Sequence, residues 1–143
     1  MALSEQLANG RVVGDVVKYV EHPAINYVSA KIVGAAGQAS VDANLCGQPV
    51  KASGANYILV LAADIANAIG ILAHDKPITL AAAAVSAWPY KILIRGDALV
   101  DKDSLPANDV VGSAINNANF VTALAARGII AQSEPTVKEA LTT

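Results

Sequence analysis

One cysteine, one methionine, one tryptophan and one phenylalanine are all that 143 residues contain of those types. The lone Cys46 excludes an intrachain disulfide and cannot hold a metal by itself, so neither a disulfide scaffold nor a zinc module is supported, and a reducing compartment is expected. Charge is also scarce. Ten Lys and Arg against twelve Asp and Glu leave a formal net charge of −2. The basic residues stand singly and make no stripe for phosphates, so nucleic acid is not the expected partner. Long apolar runs are missing too: the uncharged stretch 77–90 is too short to cross a bilayer, and 110–126 is broken by Asn116, Asn117 and Asn119. Met1 to Leu7 has neither the basic start nor the apolar block of a secretory signal. A membrane span and export by that route are not expected.

What the chain does have is apolar content, 54% of it. Much of this is alanine, which packs backbones closely and brings little area per residue. The length fits one domain with a real core, and a core shared between subunits is compatible with the composition.

The stretch Tyr90–Val100 is the best-defined strand signal. Ile92 and Ile94 alternate with Lys91, Leu93 and Arg95, the period of a half-buried strand, and Gly96-Asp97 interrupts it before Ala98-Leu-Val100 resumes. It reads as one strand with a kink or as two strands around a tight bend. Ahead of it, Ser4–Ala8 has the signals of one helical turn, and Arg11–Val20 is valine-rich. Pro23 forces an extended or turning backbone within Glu21–Val28. Residues 1–31 therefore read as an extended amino-terminal arm suited to pairing with a neighbour's sheet edge.

From Ile32 the spacing becomes that of a compact, β-rich α+β body, residues 32–131, followed by a tail, 132–143. Gly34–Gly37 reads as a turn, Val41–Val50 as short pieces punctuated by Asn44, Gly47 and Pro49, and Ser53–Asn56 as a turn into the strand Tyr57–Leu61. Ala68–Ala73 is a strand whose Gly70 marks a bulge or a close approach. Ile78–Val85 is open between strand and helix: four alanines favour helix, whereas Pro77, Ile78 and Thr79 favour a strand. Asp101–Pro106 is a polar loop, Asp109 can cap a short helix to Ile115, and Asn117 or Asn119 caps a clearer one bearing Phe120, Leu124 and Arg127. Gly128 sits at that helix's left-handed C′ position, Ile129-Ile130 follows as a strand, and Ser133-Glu-Pro-Thr starts a tail helix.

The sequence shows no catalytic constellation. Asp101 and Asp103 begin like a calcium loop, but Pro106 and Gly112 stand where that loop needs glycine and glutamate. His22 and His74 lack ligand-spaced partners. Cys46, among turn residues, reads as a small packing residue. Arg95-Gly96-Asp97 spells an adhesion tripeptide inside a strand signal, whereas such recognition needs a flexible exposed loop. Trp88-Pro89-Tyr90 reads equally as core or as an exposed anchor for a partner.

Taken in order, Asn26-Tyr-Val-Ser29, Gly37-Gln38, Cys46-Gly47, Gly54 with Tyr57, Ala68–Ala73, Ile92–Gly96 with Ala98 and Val100, Leu105, and Ala123–Ile130 form a pattern. It resembles the head decoration proteins of tailed bacteriophages, the family of the phage lambda capsid-stabilising protein, over about residues 26–131. The chain departs from it in the arm before Asn26, at Lys31-Ile32 and in the tail. The resemblance implies a lambda-type decoration fold of short strands with one or two short helices behind an extended arm. It implies a non-enzymatic virion protein without cofactors, made in the host cytoplasm, that attaches as homotrimers to the outside of the expanded head and stabilises it against DNA pressure. The arm would then contact the major capsid protein through Val16, Val17, Tyr19, Val20, Ile25, Asn26, Tyr27, Val28 and Ser29, with Trp88 and Tyr90 as candidates for subunit contacts. The alternatives from other classes are a small-molecule-binding domain using Leu61–Asp64 and His74–Asp75, and an adhesion module displaying Arg95-Gly96-Asp97.

Overall fold

The computed structural model describes residues 13–37, 41–43, 45–74 and 78–133. It is a β-rich α+β fold whose middle layer is a mixed six-stranded sheet. That sheet comprises β2 (Tyr27–Ala30), β3 (Ile32–Val33), β5 (Pro49–Ser53), β6 (Asn56–Leu59), β7 (Gly70–Leu72) and β9 (Tyr90–Leu93), in the spatial order β2-β9-β7-β5-β6-β3. A three-stranded sheet places β10 (Ala98–Asp101) between β1 (Val17–Val20) and β11 (Ile129–Gln132), and β4 (Val41–Ala43) pairs with β8 (Ile78–Leu80) as a ribbon. Short helices α1 (Val13–Val16) and α2 (Pro23–Asn26), 3-10 helices at Ala62–Asn67 and Lys102–Ser104, and α3 (Asn117–Ala125) complete the framework.

Apolar residues cover both faces of the middle sheet. Ile71 and Leu93 face one cluster, with Phe120, Leu124, Val16, Val100 and Ile129. Their strand neighbours Leu72, Ile92 and Ile94 face a second, with Ile32, Val50, Ile78 and Leu80. Leu93, which alternation groups with Lys91 and Arg95, is thus fully buried, and the half-buried strand expected here is covered on both faces at that position. A strand covered on both sides has no polar face to show, so alternation gives way to an apolar run.

Tyr90–Val100 is two strands, and each lies inside a different sheet: β9 between β2 and β7, β10 between β1 and β11. Gly96 makes the passage between them. A Cβ there would lie 1.9 Å from the Gly128 carbonyl oxygen, and the Gly96 N–H donates to the Arg127 carbonyl at 2.8 Å. Gly70 has the close approach expected of it, since its Cβ would lie 2.2 Å from the Leu93 carbonyl oxygen.

Because β10 and β11 are parallel, the chain must cross over between them, and α3 makes that crossing. Phe120 and Leu124, one turn apart, are fully buried beneath it. Its cap is Asn116, not Asn117 or Asn119: the Asn116 side chain accepts from the Asn119 N–H at 3.1 Å. Gly128, at φ +79°, has the left-handed backbone expected of it but lies two residues past the Ala126 cap, one beyond the C′ position.

No helix starts at Asp109. Its buried carboxylate accepts from the Val111 and Ser113 N–H groups at 3.0 and 2.9 Å and from the Ala62 N–H at 2.7 Å. It shapes a tight loop and ties it to the start of the 3-10 helix, which is how a short carboxylate competes with helix formation. The doubtful segment Ile78–Val85 is strand only to Leu80, after which turns carry the chain to an isolated bridge between Val85 and Val33.

From Val13 onward the expected arm is built into the sheets of its own chain. Val17, Tyr19 and Val20 pair antiparallel with Val100, Leu99 and Ala98, and Tyr27–Ala30 pairs antiparallel with Tyr90–Leu93. Pro23, expected in extended or turning backbone, takes the second course and opens α2, where its missing N–H costs nothing. The physical reason is that β-branched valines find an apolar strand, β10, within the same molecule. The turn at Ser4–Ala8 and the tail helix after Ser133 lie outside the described residues.

Gly96→Ala is expected to cost about 3 kcal/mol or more, since backbone must move to admit the methyl group. Gly54→Ala, at a hairpin glycine with φ +62° and open space around it, should cost only about 1 kcal/mol. Chemical denaturation of the two variants beside the parent chain measures the difference.

Candidate interaction surface

The residues named from the sequence divide by burial. Val16 and Asn26 are at most 1% exposed, and neither side chain is available to a partner. Val17, Val20, Tyr27 and Val28 are half-buried, packed against the two cores. Of that set, Tyr19, Ile25 and Ser29 are exposed.

Asn26 has a structural task. Its amide nitrogen donates to the Arg95 carbonyl at 2.9 Å and to the Asp97 carbonyl at 3.3 Å, and its Oδ1 accepts from the His22 N–H at 2.7 Å. The Arg95-Gly96-Asp97 backbone is therefore held by Asn26 as well as at Gly128, while the Arg95 and Asp97 residues are exposed. This is not the flexible display that adhesion recognition requires.

Trp88 resolves as exposed, at 71%. It belongs to the segment 81–89, in which every residue except Ser86 is exposed and none is charged. Contiguous exposed apolar patches mark interaction surfaces. The loop is held in shape from within. The Ser86 hydroxyl accepts from the Ile32 N–H at 3.0 Å and donates to the Trp88 carbonyl at 2.7 Å, and the Ser86 N–H donates to the Ile32 carbonyl at 2.8 Å. Further along, the Gly34 N–H donates to the Ala84 carbonyl and the Ala83 N–H to the Gly34 carbonyl. Ala83 sits at φ +56°, a left-handed conformation that costs an alanine roughly 1–2 kcal/mol. Beside the loop, Tyr90 is half-buried and meets His74 edge-on, ring centroids 4.6 Å apart. The sequence carried the signal, a tryptophan next to proline in an uncharged run, but not its exposure.

A surface cleft of about 190 Å³ lies between Ala35, Ala36, Ile58 and Leu61, with Lys51 and Asp64 also lining it. The Lys51 ammonium pairs with the Asp64 carboxylate, which Asn67 also contacts. Hydrogen bonds from Lys51 and then Asn67 hold the Asp64 carboxyl below its ordinary value. This is the Leu61–Asp64 region considered for a ligand, but His74 does not line the cleft. Sites for drug-sized ligands run from roughly 300 Å³ upward.

Cys46 is buried in the core, close enough to Tyr27 to matter electrostatically. Burial first, and repulsion from an ionised Cys46 second, push the Tyr27 phenol above its ordinary 10.0. Among the described residues, no group of three or more His, Cys, Asp or Glu is gathered as a metal site, and no helix is long and apolar enough to cross a membrane. No family model matches the chain, no curated protein matches it, and no solved structure matches it.

Two measurements check these assignments. Ser86→Ala should cost about 1–3 kcal/mol, because the Ile32 N–H and the Trp88 carbonyl lose their shared partner; it should also open 81–89 to limited proteolysis. Tyr27, with its folded-state pKa raised, supports the fold fully below pH 10 and progressively less as pH rises towards the folded value. Tyr27→Phe should therefore flatten the fall in stability above pH 10 and remove a late component from the phenolate absorbance titration.

Proposed function

We propose that this chain is a capsid decoration protein, a cement that attaches in trimers to the outer surface of an expanded phage head and is not an enzyme. The observation that carries the reading is the exposed, charge-free and internally pinned loop 81–89, a surface suited to protein association. The ordered resemblance from Asn26 to Ala131 supplies the partner, the major capsid protein. Support also comes from where its motifs fall. Gly54 turns the β5–β6 hairpin, Gly70 lies against β9, Gly96 passes between sheets, and Gly128 closes the turn after α3.

The mechanism is mass action. A protein that binds the expanded shell, but neither its precursor nor its dispersed subunits, stabilises the shell by RT ln(1 + [L]/Kd) per site, and many sites multiply the effect. Attachment through an uncharged surface should depend little on salt, unlike attachment through ion pairs. Of the arm, only residues 1–12 can be removed without cutting into a described element.

The test is to mix purified protein with expanded heads that lack it and to image the particles. Saturable density at three-fold and quasi-three-fold positions, persisting at high salt, is the expected result, together with heads that resist heating. Deleting residues 1–12 should weaken attachment. If the intact chain decorates no expanded head, the reading is wrong; if the deletion variant attaches equally well, the arm has no part in it.

A further inference from the structure

We propose that the Trp88 indole of one copy inserts into the cleft beside Lys51 and Asp64 of a second copy, a knob-into-hole contact that joins chains of this protein. The knob is the 71% exposed indole on a loop that Ser86 and Gly34 hold in place, flanked by Ala87 and Pro89. The hole is the cleft of about 190 Å³.

Size selects the occupant. The cleft is too small for a drug-sized ligand, whereas an apolar cavity of about 150 Å³ accepts one benzene ring. An aromatic side chain lies in the right range. Chemistry selects further: an indole needs apolar contact for its body and an acceptor for its Nε1–H. Ala35, Ala36, Ile58 and Leu61 offer the first, and the Asp64 carboxylate offers the second. Lys51 brings a cation that can lie over the ring face.

The chain has one tryptophan, and it does not reach its own cleft. Its loop is bonded to β3, Ser86 to Ile32 and Ala84 to Gly34, and Trp88 is not one of the residues that line the cleft. A second copy must therefore supply the indole. Since knob and hole are different residues, each copy can give one contact and receive another, which closes into a ring where the rotation permits.

This contact goes beyond the shell reading and stands without it, so its test uses the full-length chain alone in solution. Sedimentation over rising concentration should show association, with a blue shift in the emission of the single tryptophan. Trp88→Ala and Ala36→Phe both alter exposed positions, and the second fills the hole. Each should stay monomeric with an unchanged circular dichroism spectrum. Mixing the two variants should restore association, because one keeps the hole and the other the knob, and the blue shift should return with it. Association that survives either substitution overturns the contact. So does a parent chain that stays monomeric at millimolar concentration, or a mixture of variants that fails to pair.

Discussion

The passage of the backbone at Gly96 against the Gly128 carbonyl is the constraint on which the rest of this fold depends. It is where the chain leaves the six-stranded sheet and enters the three-stranded one, and both strands it joins are interior. Three segments distant in sequence meet there: the end of β9, the turn after α3, and α2 through the Asn26 amide. Asn26 is 1% exposed, and both ends of its amide are bonded. A buried polar group satisfied in this way adds little net stability but makes every alternative docking of these segments expensive, since each leaves donors or acceptors unpaired. The junction therefore sets the relative placement of the two sheets.

With that placement fixed, a chain poor in large side chains can still enclose two cores. The middle sheet supplies alternate residues to each, Ile71 and Leu93 to one, Leu72, Ile92 and Ile94 to the other. Small residues let the layers approach closely, and at Gly70 there is no room for even a methyl group. Phe120, the only phenylalanine, fills the centre of one cluster at full burial. Burying such a side chain contributes roughly 1.5–3 kcal/mol, a large share of what single residues supply in an alanine-rich protein.

Features written in local chemistry were legible from the sequence. The glycine turns, the turn at Ser53–Asn56 with the strand that leaves it, α3 and the strand after α3 follow from residues within a few positions of one another. Features that depend on distant partners were not. The valines of β1 read as an arm because nothing nearby shows that β10, some eighty residues on, will pair with them. The strand through Leu93 read as half-buried because period-two alternation assumes that one face is wet. Asp109 read as a helix cap because its third acceptor contact, to Ala62, is a tertiary one. The helix cap fell one residue early for a different reason: three asparagines stand close together, and capping chemistry alone does not choose among them. Of the candidate surface, Trp88 was named but its exposure was not, since an aromatic beside a strand serves core and contact equally.

The composition of the exposed loop bears on how well it can bind. Association is opposed by the ordering of side chains, about 0.5–1.5 kcal/mol for each rotamer-rich one immobilised. Alanine has no rotamers to lose, and proline none of consequence. Tryptophan presents a large rigid surface on only two torsions. The backbone, bonded to Ile32 and Gly34, is ordered before any partner arrives. Ser86 supplies this order at the cost of one buried hydroxyl whose donor and acceptor are both used. A surface of alanines around one tryptophan thus has little entropy left to lose on docking, so a modest apolar contact can give net affinity where a lysine- or glutamate-rich loop of equal area would not.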